Sequence, residues 1–455
     1  MTNAHMQTRA IPVLGFAGVG RATFAVEYEA AITQRALAAL QTLQWPIVGT
    51  EEVFMDSQAA RGAGERIQLE QADALIIAHA SFADASAALE LARAVNRPIL
   101  LWAFREPGRV GDRLWLNSLC GANIAANALQ RENFVTHYVY GDPEEPAVLQ
   151  EIATFARACA VSRKLRRAKI SVIGQAPTGF YSSQFDELAL ARVIGPTIAQ
   201  KDLGTLFAAA EHVDNARVQA LTEQAAAASP SLQTLNPQDV QRFGQTYCAL
   251  KDVAAEDRSD ALAVRCWPEF PSQFQVMPCA AMGRIAEDGI VASCETDVYG
   301  AVTQLMLQYL SGKPPLMADV VAMDDSNDTL TLWHCGNAAV SLARNGAEPI
   351  MAGHCNRKIG VAGNFPIRPG HVTVARLGAS NAGFRLLAVE GEILDVPENR
   401  FQGNSAVFRP LGSAKSLLDT MMAQGLEHHV IFAEGSYMQE LEFLAHMWNI
   451  PIVSR

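Results

Sequence analysis

Four stretches in the last third of the chain put ionisable side chains where an apolar strand ends or passes. The run Ile290–Cys294 (IVASC) leads straight into Glu295, with Asp297 two residues further on. Leu316–Met323 reads as a strand and carries Asp319 in an apolar context, and Thr329–Trp333 ends in His334-Cys335-Gly336. Glu427-His428-His429 runs directly into Val430-Ile431-Phe432. A carboxylate in an apolar strand is costly unless it is paired or metal-bound. Singly, each residue has a plain structural reading: an Asp at a sheet edge or bulge, a His as a satisfied core residue. Jointly, carboxylate oxygens with one or two imidazoles suit Mn²⁺, Mg²⁺ or Co²⁺ better than a metal that prefers thiolates.

The elements around these residues place them. The first ~160 residues alternate short apolar runs with helical patterns, which implies parallel βαβ units. The strands are Ile11–Gly15, Ala74–His79, Arg97–Phe104 and Phe134–Tyr140; the helices are near Thr23–Leu43, Ala83–Val95, Asp112–Gln130 and Glu145–Ala160. The basic stretch Arg163–Lys169 reads as a solvated helix end and marks a boundary. A second α/β unit follows: a strand at Ile170–Gly174, the loop GQAPTGFY, a helix from about Gln184, helices near Asp214–Ala228 and Pro237–Ala255, and strands Ala261–Cys266 and Ile290–Cys294. A helix at about Val298–Leu310 leads into a β-rich third unit. Its strands are Leu316–Met323, Thr329–His334, His371–Leu377, Phe384–Val389 and Ala406–Phe408, and the chain ends in α/β. The expected fold is therefore α/β: two doubly wound Rossmann-like domains, 1–165 and 166–294, then a β-rich, barrel-like C-terminal domain, 295–455. In such sheets ligands collect beyond the carboxyl ends of strands, where most of these polar residues fall.

Composition narrows the classes. With 455 residues, 49% of them hydrophobic and 18% charged, the chain is an ordinary globular protein of several domains. A net charge of −11 argues against nucleic acid or an anionic membrane as partner. No stretch approaches the ~20 apolar residues of a membrane span, and the N-terminus lacks the basic region of a signal peptide. Eight scattered cysteines form no C-x-x-C pair, so reduced thiols in a soluble, cytoplasmic protein are expected.

Two long segments resemble the L-fucose and L-arabinose isomerases. The stretch CETDVYGAVTQLMLQYLSGKPPLMADVV (Cys294–Val321) is similar to the metal-site segment of L-fucose isomerase, with a Glu at the start of a helix and an Asp at the separation of Glu295 and Asp319. HHVIFAEGSYMQELEFLAHMWNIPIV (His428–Val453) is similar to the segment bearing that family's histidine ligand, at the position of His429. RCWPEF (Arg265–Phe270) and the Pro278–Ile290 run resemble it as well, and the first half matches in architecture more than in sequence. Fucose isomerases are longer, so this chain looks like a shortened relative.

The resemblance implies a metal-dependent aldose–ketose isomerase working through a cis-enediol. Glu295, Asp319 and His429 would hold a divalent ion, Mn²⁺ by expectation with Mg²⁺ or Co²⁺ as alternatives. Glu295 and Asp319 would also move the protons. His334 takes the place of the fourth ligand of arabinose isomerases, or else lies beside the site on the substrate side. Arg265 and Trp267, at a strand end, are candidates to hold the sugar, with an ion pair and a core aromatic as their plain readings. Arg21 is a candidate to reach a sugar in a neighbouring subunit, since the resemblance also implies a homo-oligomer, trimer or hexamer. Gly15-x-x-Gly18-x-Gly20 is not the dinucleotide order. His79, Ser81 and the Gly174–Tyr181 loop are weaker candidates for sugar contact. Two other classes remain open on residues alone: a sugar-binding protein without catalysis, and another metal-dependent enediolate reaction such as epimerisation.

Overall fold

The computed structural model describes residues 9–108 and 113–454. Its contacts divide the chain into two compact units, one made of Ala10–Arg163 with Gln439–Asn449, the other built on Lys164–Met438.

The first unit holds a five-stranded parallel sheet in the order β2-β1-β3-β4-β5. The strands are β1 (Leu14–Val19), β2 (Ile47–Phe54), β3 (Ala74–His79), β4 (Ile99–Ala103) and β5 (Thr136–Tyr140). Helices α1 (Val26–Gln41), α2 (Ser57–Leu69), α3 (Ala85–Val95), α4 (Ser118–Arg131) and α5 (Pro146–Arg167) connect and cover them. Leu14, Phe16, Ile76, Leu100 and Trp102 pack on one face under α1 and α5. Ala17, Val19, Leu75, Ile77 and Leu101 pack on the other under α2, α3 and α4. Burial on both faces makes such strands continuous apolar runs, which is why β3 and β4 stand out in the sequence. The edge strand β2 (IVGTEEVF) is mostly exposed and polar, so it carries no such run. The helix expected from Asp112 begins at Ser118; Asp112 itself lies outside the described residues.

The second unit starts with another parallel sheet, order β7-β6-β8-β9, from β6 (Lys169–Ile173), β7 (Thr197–Lys201), β8 (Ala261–Val264) and β9 (Val291–Cys294). Its helices are α6 (Glu187–Val193), α7 (Leu203–Glu211), α8 (Asn215–Ala228), α9 (Pro237–Asp257) and α10 (Cys279–Glu287). After β9 comes α11 (Val298–Ser311), whose side chains from Val298 to Leu310 are all buried. A helix apolar all round needs packing on every side. It finds this against β8 and β9 on one side and strands of the next sheet on the other.

That next sheet has eight strands: β10 (Leu316–Asp324), β11 (Thr329–His334), β14 (Phe365–Pro366), β15 (Gly370–Ser380), β16 (Gly383–Ile393), β17 (Asn404–Pro410), β18 (His429–Glu434) and β19 (Ile452–Val453). A two-stranded piece, β12 (Met351–Ala352) with β13 (Ala362–Gly363), stands apart. The main order is β14-β17-β11-β10-β18-β15-β16-β19, and β16 also pairs with β17. This last pairing closes six strands into a ring, the barrel-like third part expected from the sequence. Closure removes the open edges that a long antiparallel sheet would otherwise present. Helix α12 (Ala414–Ala423) sets Ala414, Leu417 and Met421 into its core, and α13 (Met438–Trp448) precedes β19.

Candidate active site

The site forms where the carboxyl end of β9 meets β10 and β18. After Cys294 the backbone turns through two left-handed residues, Glu295 (φ 58°) and Thr296 (φ 54°), before α11 begins. Left-handed geometry is uncommon for a non-glycine residue and costs a β-branched one most, on the order of 1–3 kcal/mol. The turn lets Glu295 leave the sheet on one side while Asp297, the N-cap of α11, points to the other. Asp297 Oδ1 accepts the Gly300 N–H at 2.8 Å. Gly300 is glycine for want of room: a Cβ there would lie 2.5 Å from Asp297 Oδ2 and 2.4 Å from Met317 Cε.

Antiparallel register supplies the partners. Asp319 on β10 stands directly opposite His429 on β18. His429 Nε2 lies 3.8 Å from Glu295 Oε2 and 3.8 Å from Asp319 Oδ1. Its other nitrogen, Nδ1, donates to Asp297 Oδ2 at 2.9 Å. Asp297 is in turn gripped by Arg376 on β15, the two side chains being only 2% and 1% exposed. Burial opposes the charge on Asp297, but the Arg376 guanidinium and the His429 hydrogen bond outweigh it and hold the carboxyl far below its usual range. An ionised Asp297 fixes the His429 tautomer, so the proton sits on Nδ1 and the Nε2 lone pair faces the two carboxylates.

Three lone-pair acceptors thus converge. Asp319 Oδ1 is buried with no hydrogen-bond partner among the described residues. Two carboxylates and one imidazole turned on one another suit a hard divalent cation: oxygen and nitrogen donors ~2.0–2.6 Å from one ion stand up to about 4 Å or more apart.

His428 joins from the rim. Its Nε2 is 3.2 Å from Glu295 Oε2, its Nδ1 3.1 Å from Ser182 Oγ, and its ring centre 4.0 Å from that of His429. Together Glu295, His428 and His429 bring ligand atoms within 4.8 Å of one another. Burial would raise the Glu295 pKa, but the His428 hydrogen bond and the His429 interaction prevail and lower it. For His428 burial works against charge, yet Glu295 and Asp319 draw the pKa up.

The other sequence candidates fall as follows. His334, at the end of β11, is buried with its ring 5.8 Å from that of His429. Burial disfavours its charge, while the Cys335 sulfur and then Asp319 favour it and prevail. Trp267 Nε1 donates to Glu295 Oε1 at 3.3 Å, and its ring meets the edge of Phe180 at 5.2 Å. Arg265 is fully engaged: it grips the Glu269 carboxylate and donates to the carbonyls of Gln175 (2.9 Å) and Ala176 (3.1 Å). It therefore ties the Gly174–Tyr181 loop, which carries Phe180, to the end of β8. Arg21 belongs to the other unit, where its N–H donates to Ser81 Oγ at 3.1 Å. His79, also in that unit, is buried and has no hydrogen-bond partner among the described residues.

Sequence reasoning noted Asp297 and His428 beside the expected ligands without giving them a role, had Phe180 only within the Gly174–Tyr181 loop, and did not name Arg376 or Ser182. Asp297 and Arg376 were findable as one buried acid and one buried base in apolar surroundings. His428 was passed over because the family likeness puts the ligand at the second histidine of the pair, His429. His428 precedes the first residue of β18.

Comparison with known proteins gives the family. Residues 15–166 match the profile of the fucose/sulfoquinovose isomerase N-terminal domain. A sulfoquinovose isomerase of Alkalicoccus urumqiensis is 34% identical over 386 residues, 84% of this chain and 86% of the relative. Those of Clostridium sp. (strain MSTE9) and Priestia megaterium are 32% and 30% identical, each over 95% of this chain and 96% of the relative. The fold and the likeness along nearly the whole chain define a sugar isomerase, an enzyme with a small sugar as substrate. The chain belongs to the fucose/sulfoquinovose isomerase family. The profile matches the first third of the chain, a part where the residues themselves showed only a likeness of architecture.

Proposed function

We propose that this enzyme interconverts an aldose and its ketose through a cis-enediol, and that its substrate is a sulfonated aldose of the sulfoquinovose class. The observation that carries the chemistry is the approach of His429 Nε2 to within 3.8 Å of both Glu295 and Asp319. The substrate class rests on the relatives, all named for sulfoquinovose.

Glu295, Asp319 and His429 would hold the divalent ion, Mn²⁺ by preference with Mg²⁺ or Co²⁺ as alternatives, and His334 or His428 would complete its surroundings. Such an ion supplies Lewis-acid stabilisation of negative charge on the sugar's O1 and O2. The protein's own residues do the rest. One of Glu295 and Asp319 takes the proton from C2 and returns it at C1, while the other carries the hydroxyl proton. The depressed pKa of Glu295 keeps it ionised and ready to accept. Trp267 and His428 pin its two oxygens, so its approach to the substrate carbon is set before the sugar arrives. The Asp297–Arg376 pair holds His429 in one tautomer. Trp267 and Phe180 offer aromatic faces to the sugar ring. We further propose a cytoplasmic homo-oligomer, trimer or hexamer, in which Arg21 serves a neighbouring subunit.

The test is proton NMR in D₂O with metal-stripped enzyme, sulfoquinovose and neutral aldoses, with and without added Mn²⁺. Ketose formation with deuterium at the transferred position, dependent on the ion and lost in Glu295→Gln, is expected. Exchange without ketose would replace isomerisation by epimerisation, and turnover of neutral sugars alone would sink the substrate assignment.

A further inference from the structure

Four of the eight cysteines lie as two close pairs beside the residues of the site. Cys266 and Cys294, next in sequence to Trp267 and Glu295, have sulfurs 3.1 Å apart and are both buried. Cys279, the first residue of α10, and Cys335, which follows His334, have sulfurs 3.6 Å apart. The pairs differ in access: Cys335 is partly exposed, whereas Cys266, Cys279 and Cys294 are sealed.

The backbones carrying Cys279 and Cys335 already touch. A Cβ on Gly283 of α10 would lie 2.5 Å from the Ala338 carbonyl oxygen, and the Ala280 N–H donates to the Val361 carbonyl at 3.2 Å. A disulfide sulfur pair is about 2.05 Å apart, so closing this one takes about 1.5 Å of sulfur movement.

A metal ion is the rival occupant, since Cys279, Cys335 and His354 bring ligand atoms within 4.8 Å of one another. The hydrogen bonds of His354 disfavour it. Its Nδ1 accepts the N–H groups of Asn356 and Arg357, both at 3.2 Å. The Nδ1 lone pair is thereby taken, and an imidazole whose Nδ1 accepts carries its proton on Nε2, which leaves no lone pair to give.

We propose that Cys279 and Cys335 are an oxidisable dithiol, closed to a disulfide by a peroxide, whose closure slows the isomerase. The sulfur of Cys335 attacks one peroxide oxygen, the O–O bond breaks, and a sulfenic acid and one water result. The sulfur of Cys279 then attacks the sulfenic sulfur, the S–O bond breaks, and a second water leaves. Two S–H groups and one peroxide become one S–S bond and two waters. The consequence for catalysis rests on the isomerase reading. His334 precedes Cys335 and its Nδ1 lies 3.4 Å from that sulfur, so drawing Cys335 toward α10 breaks that contact and shifts the imidazole that stands 5.8 Å from His429.

The experiment treats the full-length, metal-loaded enzyme with hydrogen peroxide, alkylates remaining thiols, and follows peptide masses and turnover together. A Cys279–Cys335 linked peptide lacking two hydrogens is expected, with turnover down on the order of tenfold, because about 1 Å of misplacement in a site can cost up to ~10²-fold. Dithiothreitol should reverse both. Cys335→Ser should lose the linked peptide and keep its turnover through the peroxide step. Linkage of Cys266 to Cys294 instead, over-oxidised Cys335 without a link, or a link that leaves turnover unchanged would each overturn the proposal. So would zinc released from the untreated protein by thiol modification. A reduced enzyme inert toward every sugar would count against the isomerase reading, while the linked peptide would still decide the crosslink.

Discussion

His429 shows how much of the chemistry is settled one bond away from the reacting atoms. Its useful nitrogen is Nε2, yet the side chain that makes it useful is Asp297 on the opposite nitrogen. Asp297→Asn should weaken Mn²⁺ binding by about 10–100-fold, measured by titration against a competing chelator at a temperature well below its lowered melting point. Glu295→Gln should cut turnover by about 10²–10⁴-fold, far more than its modest loss of stability explains, with kinetics and melting temperature measured side by side. Arg376→Met leaves a buried carboxylate without its cation and should cost about 3–5 kcal/mol, read from denaturant melts. The pH dependence follows from the same pair. The folded pKa values of Asp297 and Glu295 lie below their unfolded values of ~3.9 and ~4.3, so both contribute stability above that range and lose it as pH falls through their folded values. Thermal melts of the wild type should therefore weaken steeply below about pH 4, and more steeply than those of the Asp297→Asn, Arg376→Met double variant. Equal slopes would remove the pair from the account.

At the level of elements, the sequence exposed what burial makes apolar and hid what exposure makes polar. Asp319 and His429 were visible because β10 and β18 are otherwise apolar and a charge there needs a reason. That they stand directly opposite was not visible, since register depends on strands far apart in sequence. The edge strand β7 (TIAQK), like β2, carries too few apolar residues to be found by pattern. The helix start at Val298 was legible, but the left-handed turn at Glu295 and Thr296 that precedes it, and its cap Asp297, were not. Gly300 tests this turn. In most helices Gly→Ala stabilises by up to ~1 kcal/mol. Here Gly300→Ala should destabilise by about 1–3 kcal/mol and lower metal affinity, because the new methyl group displaces Asp297 or Met317. A higher melting temperature would show that the cap is looser than drawn.

For the whole molecule, charge and composition argued against nucleic acid and an anionic membrane as partners but named no substrate. No helix among the described residues is long and apolar enough to cross a membrane. The sulfonate of the proposed substrate had no signature in the residues, and it entered through the relatives. Binding of the ion to the folded chain alone should raise the melting temperature as its concentration rises, by about 2.7 kcal/mol of stability at a hundred times Kd. Scanning fluorimetry with and without a chelator measures it, and no shift with any of the three ions would leave the acceptor cluster unexplained.

The excursion of α13 bears on the order in which the protein is made. Phe443 packs edge-on against His137 and Phe155, with centroids 4.8 and 5.4 Å apart, and Glu440 pairs with Arg157 in near-complete burial. The unit that starts at Ala10 thus takes its last packing pieces from Gln439–Asn449. On the ribosome that unit waits, with an apolar patch around Phe155 uncovered, through the synthesis of nearly everything else. A chaperone that masks such patches has its longest task on a unit that emerges well before the helix that completes it.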